Sequence, residues 1–274
     1  MDLKIGDDLW VKGNKTTLGS GAGIVNDSLG TVEIGKNAKF IGNTSAKSGG
    51  AVAIYNGKLI FKGGATFSGN KVGSEFNDIH NEGNITVEAG VLTLDGDISG
   101  DGTLILNDGS SLNVKVGSSQ DESTTISNAI TIGKDVGLTM TFAPGYVGEY
   151  ALVGEEGSIT SGEFVLADNA VFDVAAKEGA DGVYEVSMKS VGEIAANTGA
   201  NANQAGAIGA LMSASSSNEA FNEVATAIGN GIQSSDAAVR QVVLDAATAM
   251  SPEVAPMVQQ VESDVSTQVF NGDF

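Results

Sequence analysis

The stretch Phe40-Ile41-Gly42-Asn43 returns 27 residues later as Phe67-Ser68-Gly69-Asn70. Between the copies lie Gly49-Gly50-Ala51-Val52 and short runs with apolar residues at alternate positions. A fixed period implies one structural unit used repeatedly, too small to bury its own core and completed by its neighbours. The unit is built of strands. From Leu3 to about Met188, runs such as TVEIG (31–35), KLIFKG (58–63), NITVEAG (84–90) and SLNVKVG (111–117) alternate apolar with polar residues and end at Gly, Asn, Asp or Ser. That is the pattern of half-buried strands divided by turns. Stacked units of this kind predict a mainly β, right-handed parallel β-helix over residues 1–192, each strand bonded to its equivalent about 4.8 Å above and below. About eight coils would make a rod roughly 40 Å long. Phe40 and Phe67 would stack inside it, with Asn43 and Asn70 laddered at a corner where Asn tolerates left-handed backbone. Hairpins of the Asn-Gly type, which would favour a sandwich, are few; Tyr55-Asn56-Gly57-Lys58 is the best of them.

Composition narrows the function. The 38 glycines against 3 prolines suit repeated tight turns rather than a disordered chain. The formal charge is −20, from 34 acidic and 14 basic residues, and Arg240 is the sole arginine. No cluster of Lys and Arg is present to displace phosphate counterions, so nucleic acid is not an expected partner. The same charge opposes docking on anionic lipid. There is no cysteine, so stability comes from stacking and burial. No apolar run reaches the roughly 18 residues of a spanning helix. The start MDLKIGDDLWVKGN lacks the basic and apolar regions of a signal peptide, and Met1 is expected to begin a trimmed or mature fragment.

Past residue 192 the pattern changes. Residues 193–274 form an Ala-rich helical segment, with a boundary expected near 192. Ser216 and Glu219 make a capping box ahead of Phe221, Val224, Ala225 and Ile228 at helical spacing. Ser234 is placed to cap a second helix with Val239, Val242, Val243, Ala246 and Met250 on one face. Ser251-Pro252-Glu253 starts a third, with Val254, Val258, Val261 and Val265 as its stripe. Such stripes are candidate assembly surfaces.

Residues able to support chemistry are few. Hydrolysis by paired carboxylates needs two acids about 5 to 9 Å apart. Asp95, Asp97 and Asp101, in DGDISGDG, are the candidates for that role and for a calcium ion, although the segment reads first as turn chemistry. The motif has neither the nonapeptide calcium repeat nor the EF-hand spacing, so no cofactor is expected. His80 is the only histidine and hence the only base a serine triad could use. It is expected to fill a coil corner. Trp10, the lone tryptophan, is expected to close the end of the helix, with a contact site as the alternative.

Phe40-Ile41-Gly42-Asn43, Phe67-Ser68-Gly69-Asn70 and Gly49-Gly50-Ala51-Val52 resemble the Phe-x-x-Asn and Gly-Gly-Ala-[Ile/Leu/Val] repeats of autotransporter passengers, in particular the polymorphic outer-membrane proteins. NDIHNEGNITVEAG (77–90) and LTLDGDISGDGTL (92–104) also look like passenger coils, and the Ala-rich tail is similar to the helical junction before a translocator barrel. This chain has two Phe-x-x-Asn units and one Gly-Gly-Ala-Val, fewer than the family's many copies. The resemblance implies a non-enzymatic extracellular protein of a Gram-negative bacterium: a rigid adhesin or stalk, attached to the outer membrane or released, with a barrel in the full-length precursor. Its partners would be a surface receptor or glycan. Two alternatives stand beside it. One is a self-assembling filament subunit using coil edges and C-terminal helices. The other, disfavoured, is a polysaccharide-active enzyme.

Overall fold

Alternating apolar residues need a neighbour of the same kind on each side, and the chain supplies it coil by coil. A computed structural model describes residues 2–146, 148–214, 219–234, 236–247 and 249. The chain is mainly β, with a parallel β-solenoid of about six turns and C-terminal helices. It divides into two compact units. The first comprises the residues up to Thr141, Glu149–Asp168 and Val174–Glu185; the second comprises Phe142–Gly148, Asn169–Asp173 and the residues from Val186 onward.

In the first unit, one face of the solenoid is a parallel stack of Leu3–Ile5, the start of Thr31–Ile41, the start of Lys58–Ser68, Asn84–Val87, Thr103–Leu106, Ala129–Ile132 and Ser158–Ser161. A second face continues from Trp10–Lys12 through the ends of the two long strands to Val91–Leu94, Ser111–Val116, Gly137–Phe142 and Val165–Leu166. Ile24–Asn26, Val52–Ile54, Glu75–Asn81 and Asp97–Ser99 make the third. Lys71–Val72 and Glu75–Asn81 form a local antiparallel pair around the left-handed Gly73. The expected eight coils are corrected to about six turns. Aligned residues lie 19 to 29 positions apart along the chain, and about six turns at the strand spacing make a stack roughly 30 Å long.

Registered pairing stacks like on like. Val32, Leu59, Ile85, Leu104 and Ile130 form one inward row, and Ile34, Phe61, Val87, Leu106 and Ile132 form the next; all are buried. Phe40 pairs with Phe67 in register, their rings 4.5 Å apart and 4° from parallel, and Phe61 meets Phe67 edge-on at 6.0 Å. Fully burying such side chains contributes on the order of 2 kcal/mol each. The corner between the first two faces carries a left-handed residue in every coil: Asp8, Asn37, Gly64, Gly90, Gly109, Asp135 and Gly162. These are the three residue types that enter that region at least cost.

In the second unit, α1 (Val191–Thr198) begins at a capping box between Ser190 and Glu193 and ends on left-handed Gly199. Helix α2 (Ala202–Ser213) begins at a capping box between Asn201 and Gln204. Helix α3 (Glu219–Ile232) buries Ala225, Ile228 and Ile232 and leaves Val224 46% exposed. Helical turns recur over 237–247. Their cap is Asp236, whose Oδ1 accepts the Ala238 N–H at 2.8 Å, rather than Ser234. The predicted stripe is not the one this unit buries. Leu244 and Ala247 are buried, while Val239 and Val242 are 43% and 68% exposed. The apolar pattern allowed two stripes, and Leu244 is the bulkier residue to bury. Ser216, Met250, Val254, Val258, Val261 and Val265 lie outside the described residues.

Candidate functional site

The repeat residues are brought together as a ladder of buried amides. Asn43 donates its N–H and Nδ2 to Asn70 Oδ1 at 3.0 and 2.9 Å. Asn14 does the same to Asn43 Oδ1, both at 3.0 Å. Each lower amide also reaches a carbonyl, Asn43 Nδ2 to Val11 and Asn70 Nδ2 to Phe40. The left-handed residues here are Gly42 and Gly69, not the asparagines, which correct the expected placement: glycine takes the turn and asparagine takes the side-chain bonds. Gly49, also left-handed, and Gly50 lie under the next coil. A Cβ on Gly50 would stand 2.4 Å from the Lys71 nitrogen and 2.5 Å from the Asn77 oxygen.

The ladder ends on an acid that the sequence reading passed over. Asp78 is fully buried and takes the Asn70 amide on Oδ1 at 2.8 Å, with the Asp95 and Gly96 N–H groups on Oδ2 at 3.1 and 2.7 Å. Burial pushes its pKa up to about 7 against these three donors. A second ladder joins Asn81 Nδ2 to Asn128 Oδ1 at 2.8 Å, both side chains fully buried. Its members sit two coils apart, so no short sequence motif marked them.

Two of the three acidic candidates are bonded within the fold. Asp95 accepts the Ser68 hydroxyl at 2.6 Å, and Asp97 accepts the Thr125 N–H and hydroxyl at 2.7 and 3.0 Å. Burial holds Asp97 above the usual carboxylate range. Asp101 is exposed at a turn. Among the described residues, no three His, Cys, Asp or Glu side chains gather as a metal site.

His80 is not at a corner; it lies within the strand Glu75–Asn81. Its Nδ1 is 3.1 Å from Ser99 Oγ and its Nε2 is 3.0 Å from Glu82 Oε1, an order resembling nucleophile, base and orienting acid. Ser99 Oγ also reaches the Ile79 carbonyl, and the Glu82 side chain is 44% exposed, so this chain of bonds runs out into water. Next to it Tyr55, Ser20 and Ser48 share hydroxyl bonds of 2.6 to 2.9 Å. The row fastens the third face.

Compared with family models, curated proteins and solved structures, the chain has no match. Trp10 does not close the solenoid's end. Val11 takes the inward position in register with Phe40, so alternation turns Trp10 and Lys12 outward, and Trp10 is 63% exposed. The Lys12 and Lys39 ammonium groups stand 5.8 and 5.9 Å from its ring centre. Asp8, Leu9, Trp10, Asn37 and Lys39 line an open cleft of about 340 Å³ beside it. The signal available in the sequence was the period of two itself: Trp10 and Lys12 flank Val11, as Lys39 and Ile41 flank Phe40.

Proposed function

We propose that this chain is a non-enzymatic extracellular surface protein, a rigid β-solenoid stalk or adhesin of the autotransporter-passenger type, displayed or shed by a Gram-negative bacterium. The observation that carries the reading is the registered stack. Its interior is filled by rows of side chains, and its corners are tied by amide ladders. What such a fold offers a partner is its outward rows, repeated at the strand spacing. One such row holds Lys39, Thr66, Thr93 and Asn113 in register. Rigid rows bind with little ordering cost, which favours an extended partner on a receptor or glycan. The two repeat motifs, which resemble those of passenger proteins, support the same reading.

Purified, fluorescently labelled chain should bind host cells, extracellular matrix or other bacteria saturably, and heat-unfolded chain should not. Absence of saturable binding to all three surfaces would remove the proposal.

Self-assembly is the second reading. Among the described residues, the strands Leu3–Ile5 and Trp10–Lys12 pair on one side only, with Thr31–Ile41, which leaves strand edges that can add another chain. Sedimentation that grows heavier with concentration would favour it. A single monomeric boundary across the range would dismiss it.

A further inference from the structure

We infer that the cleft at Trp10 binds an acidic saccharide, one bearing a carboxylate on a pyranose ring. The inference rests on the surface-binding reading and names a ligand class for it. Three features meet at this cleft. The first is a flat apolar platform. The indole is 63% exposed on an outward strand position, held there because Val11 is registered against Phe40. A pyranose offers a C–H face of matching size, and aromatic faces with a polar edge suit such amphipathic partners.

The second is charge. Lys12 and Lys39 stand 5.8 and 5.9 Å from the indole centre, close to the outer limit of about 6 Å for an ammonium held by a ring. They are thus weakly held over the ring and stand where the carboxylate of a stacked ligand would meet them. Lys39 lines the cleft and Lys12 stands beside it, against the carboxylates of Asp8 and Asp7, so the cleft is near neutral in a chain whose formal charge is −20. An anion is therefore favoured here over the rest of the acidic surface.

The third is a rigid polar rim. Asn37 Nδ2 donates to Asp8 Oδ1 at 3.1 Å, and both residues are left-handed at equivalent corners of adjacent coils. The Asp8 N–H bonds the Lys36 carbonyl at 2.8 Å, and the Lys39 N–H bonds the Leu9 carbonyl at 2.8 Å. Asp7 Oδ1 takes the Lys36 N–H at 2.8 Å. The rim is thus fixed before any ligand arrives, and its carboxylate and amide suit sugar hydroxyls.

Trp10 is the only tryptophan, so its fluorescence reports on this cleft alone. The probe is tetragalacturonate titrated into the full chain, with neutral tetragalactose as control and calorimetry as a second readout. The expected result is a saturable change in Trp10 emission with a dissociation constant in the millimolar range or below. Tetragalactose should bind at least five-fold more weakly, and raising salt from 50 to 500 mM should weaken only the acidic ligand. By calorimetry, W10A should lose ten-fold or more, and K12Q with K39Q should remove the preference for acid while circular dichroism stays unchanged. No emission change up to 10 mM, equal binding of the two sugars, or unchanged affinity in W10A would each overturn the inference. Saturable cell binding that persists in W10A would retire this cleft and leave the surface-protein reading intact, whereas loss of cell binding by the parent chain would retire that reading.

Discussion

Replacing Asn70 with alanine tests whether the corner ladder holds the coils. Asn70 Oδ1 accepts two hydrogen bonds from Asn43, and its Nδ2 donates to the Phe40 carbonyl and to Asp78 Oδ1. Truncation strips the Asn43 N–H of this acceptor and Asp78 Oδ1 of this donor, in a site where all three side chains are fully buried. Each orphaned buried group costs about 1–3 kcal/mol, more when charged, so the expected loss is about 3–6 kcal/mol. A water entering the vacated volume would bring it toward the lower figure. Asn14→Ala removes a bond at the exposed end of the same ladder and should cost about 1 kcal/mol or less. The measurement is a urea titration of each variant, read as a shift in midpoint at constant slope. Asn70→Asp sharpens the test. It keeps an acceptor toward Asn43 but sets a second carboxylate against Asp78, so its deficit should be large at pH 8 and shrink at pH 5, where a proton can be shared. A loss under about 1 kcal/mol in Asn70→Ala, or equal losses at positions 14 and 70, would refute the reasoning.

Three further outcomes are expected. Asp78 is raised from the usual 3.8 to about 7, so the native state holds a proton that the unfolded chain releases; this stability is complete below pH 3.8 and lost as pH rises through 7. The upper bound is about 4 kcal/mol at 1.36 kcal/mol per unit, with Asp97 acting in the same direction, Glu193 in the opposite one, and Asp78→Asn flattening the urea-midpoint profile between pH 4 and 8. Gly49→Ala should lose more than about 3 kcal/mol or fail to fold. Its Cβ would meet the His80 nitrogen at 2.8 Å, whereas Gly73→Ala, equally left-handed but in open space, should cost about 1–2 kcal/mol; equal costs in urea would contradict this. A fluorophosphonate probe should leave Ser99 unlabelled, as mass spectrometry would show; stoichiometric labelling lost in His80→Ala would revive an enzyme.

The solenoid was legible because Phe40 and Phe67 mark one inward position two coils running, and period-two runs mark the strands around them. What hid the rest was substitution within a physical role. The left-handed corner recurs in every coil, yet Asp8, Asn37, Gly64 and Asp135 fill it with three residue types. Likewise Leu94 and Val114 continue the phenylalanine row without its ring. Asp78 read as one acid among turn residues because only the fold shows that Asn70, Asp95 and Gly96 surround it. Trp10 was misplaced by size: a large aromatic suggests a plug, but its parity along the strand, set by Val11, decides that it faces out. In the tail, Val239 and Val242 suited one stripe and Leu244 and Ala247 another, and amphipathicity alone does not rank two apolar faces.

The central claim is that the coils lie in register one above the next, and paired cysteines test it most directly in a chain that has none of its own. Lys39, Thr66 and Thr93 occupy one outward row. Adjacent members are about 4.8 Å apart, within disulfide reach, while alternate members are about twice that and beyond it. Under mild oxidation the account predicts rapid bonds in K39C/T66C and T66C/T93C and none in K39C/T93C. Bonding in K39C/T93C, or its absence in both neighbouring pairs, would contradict the solenoid.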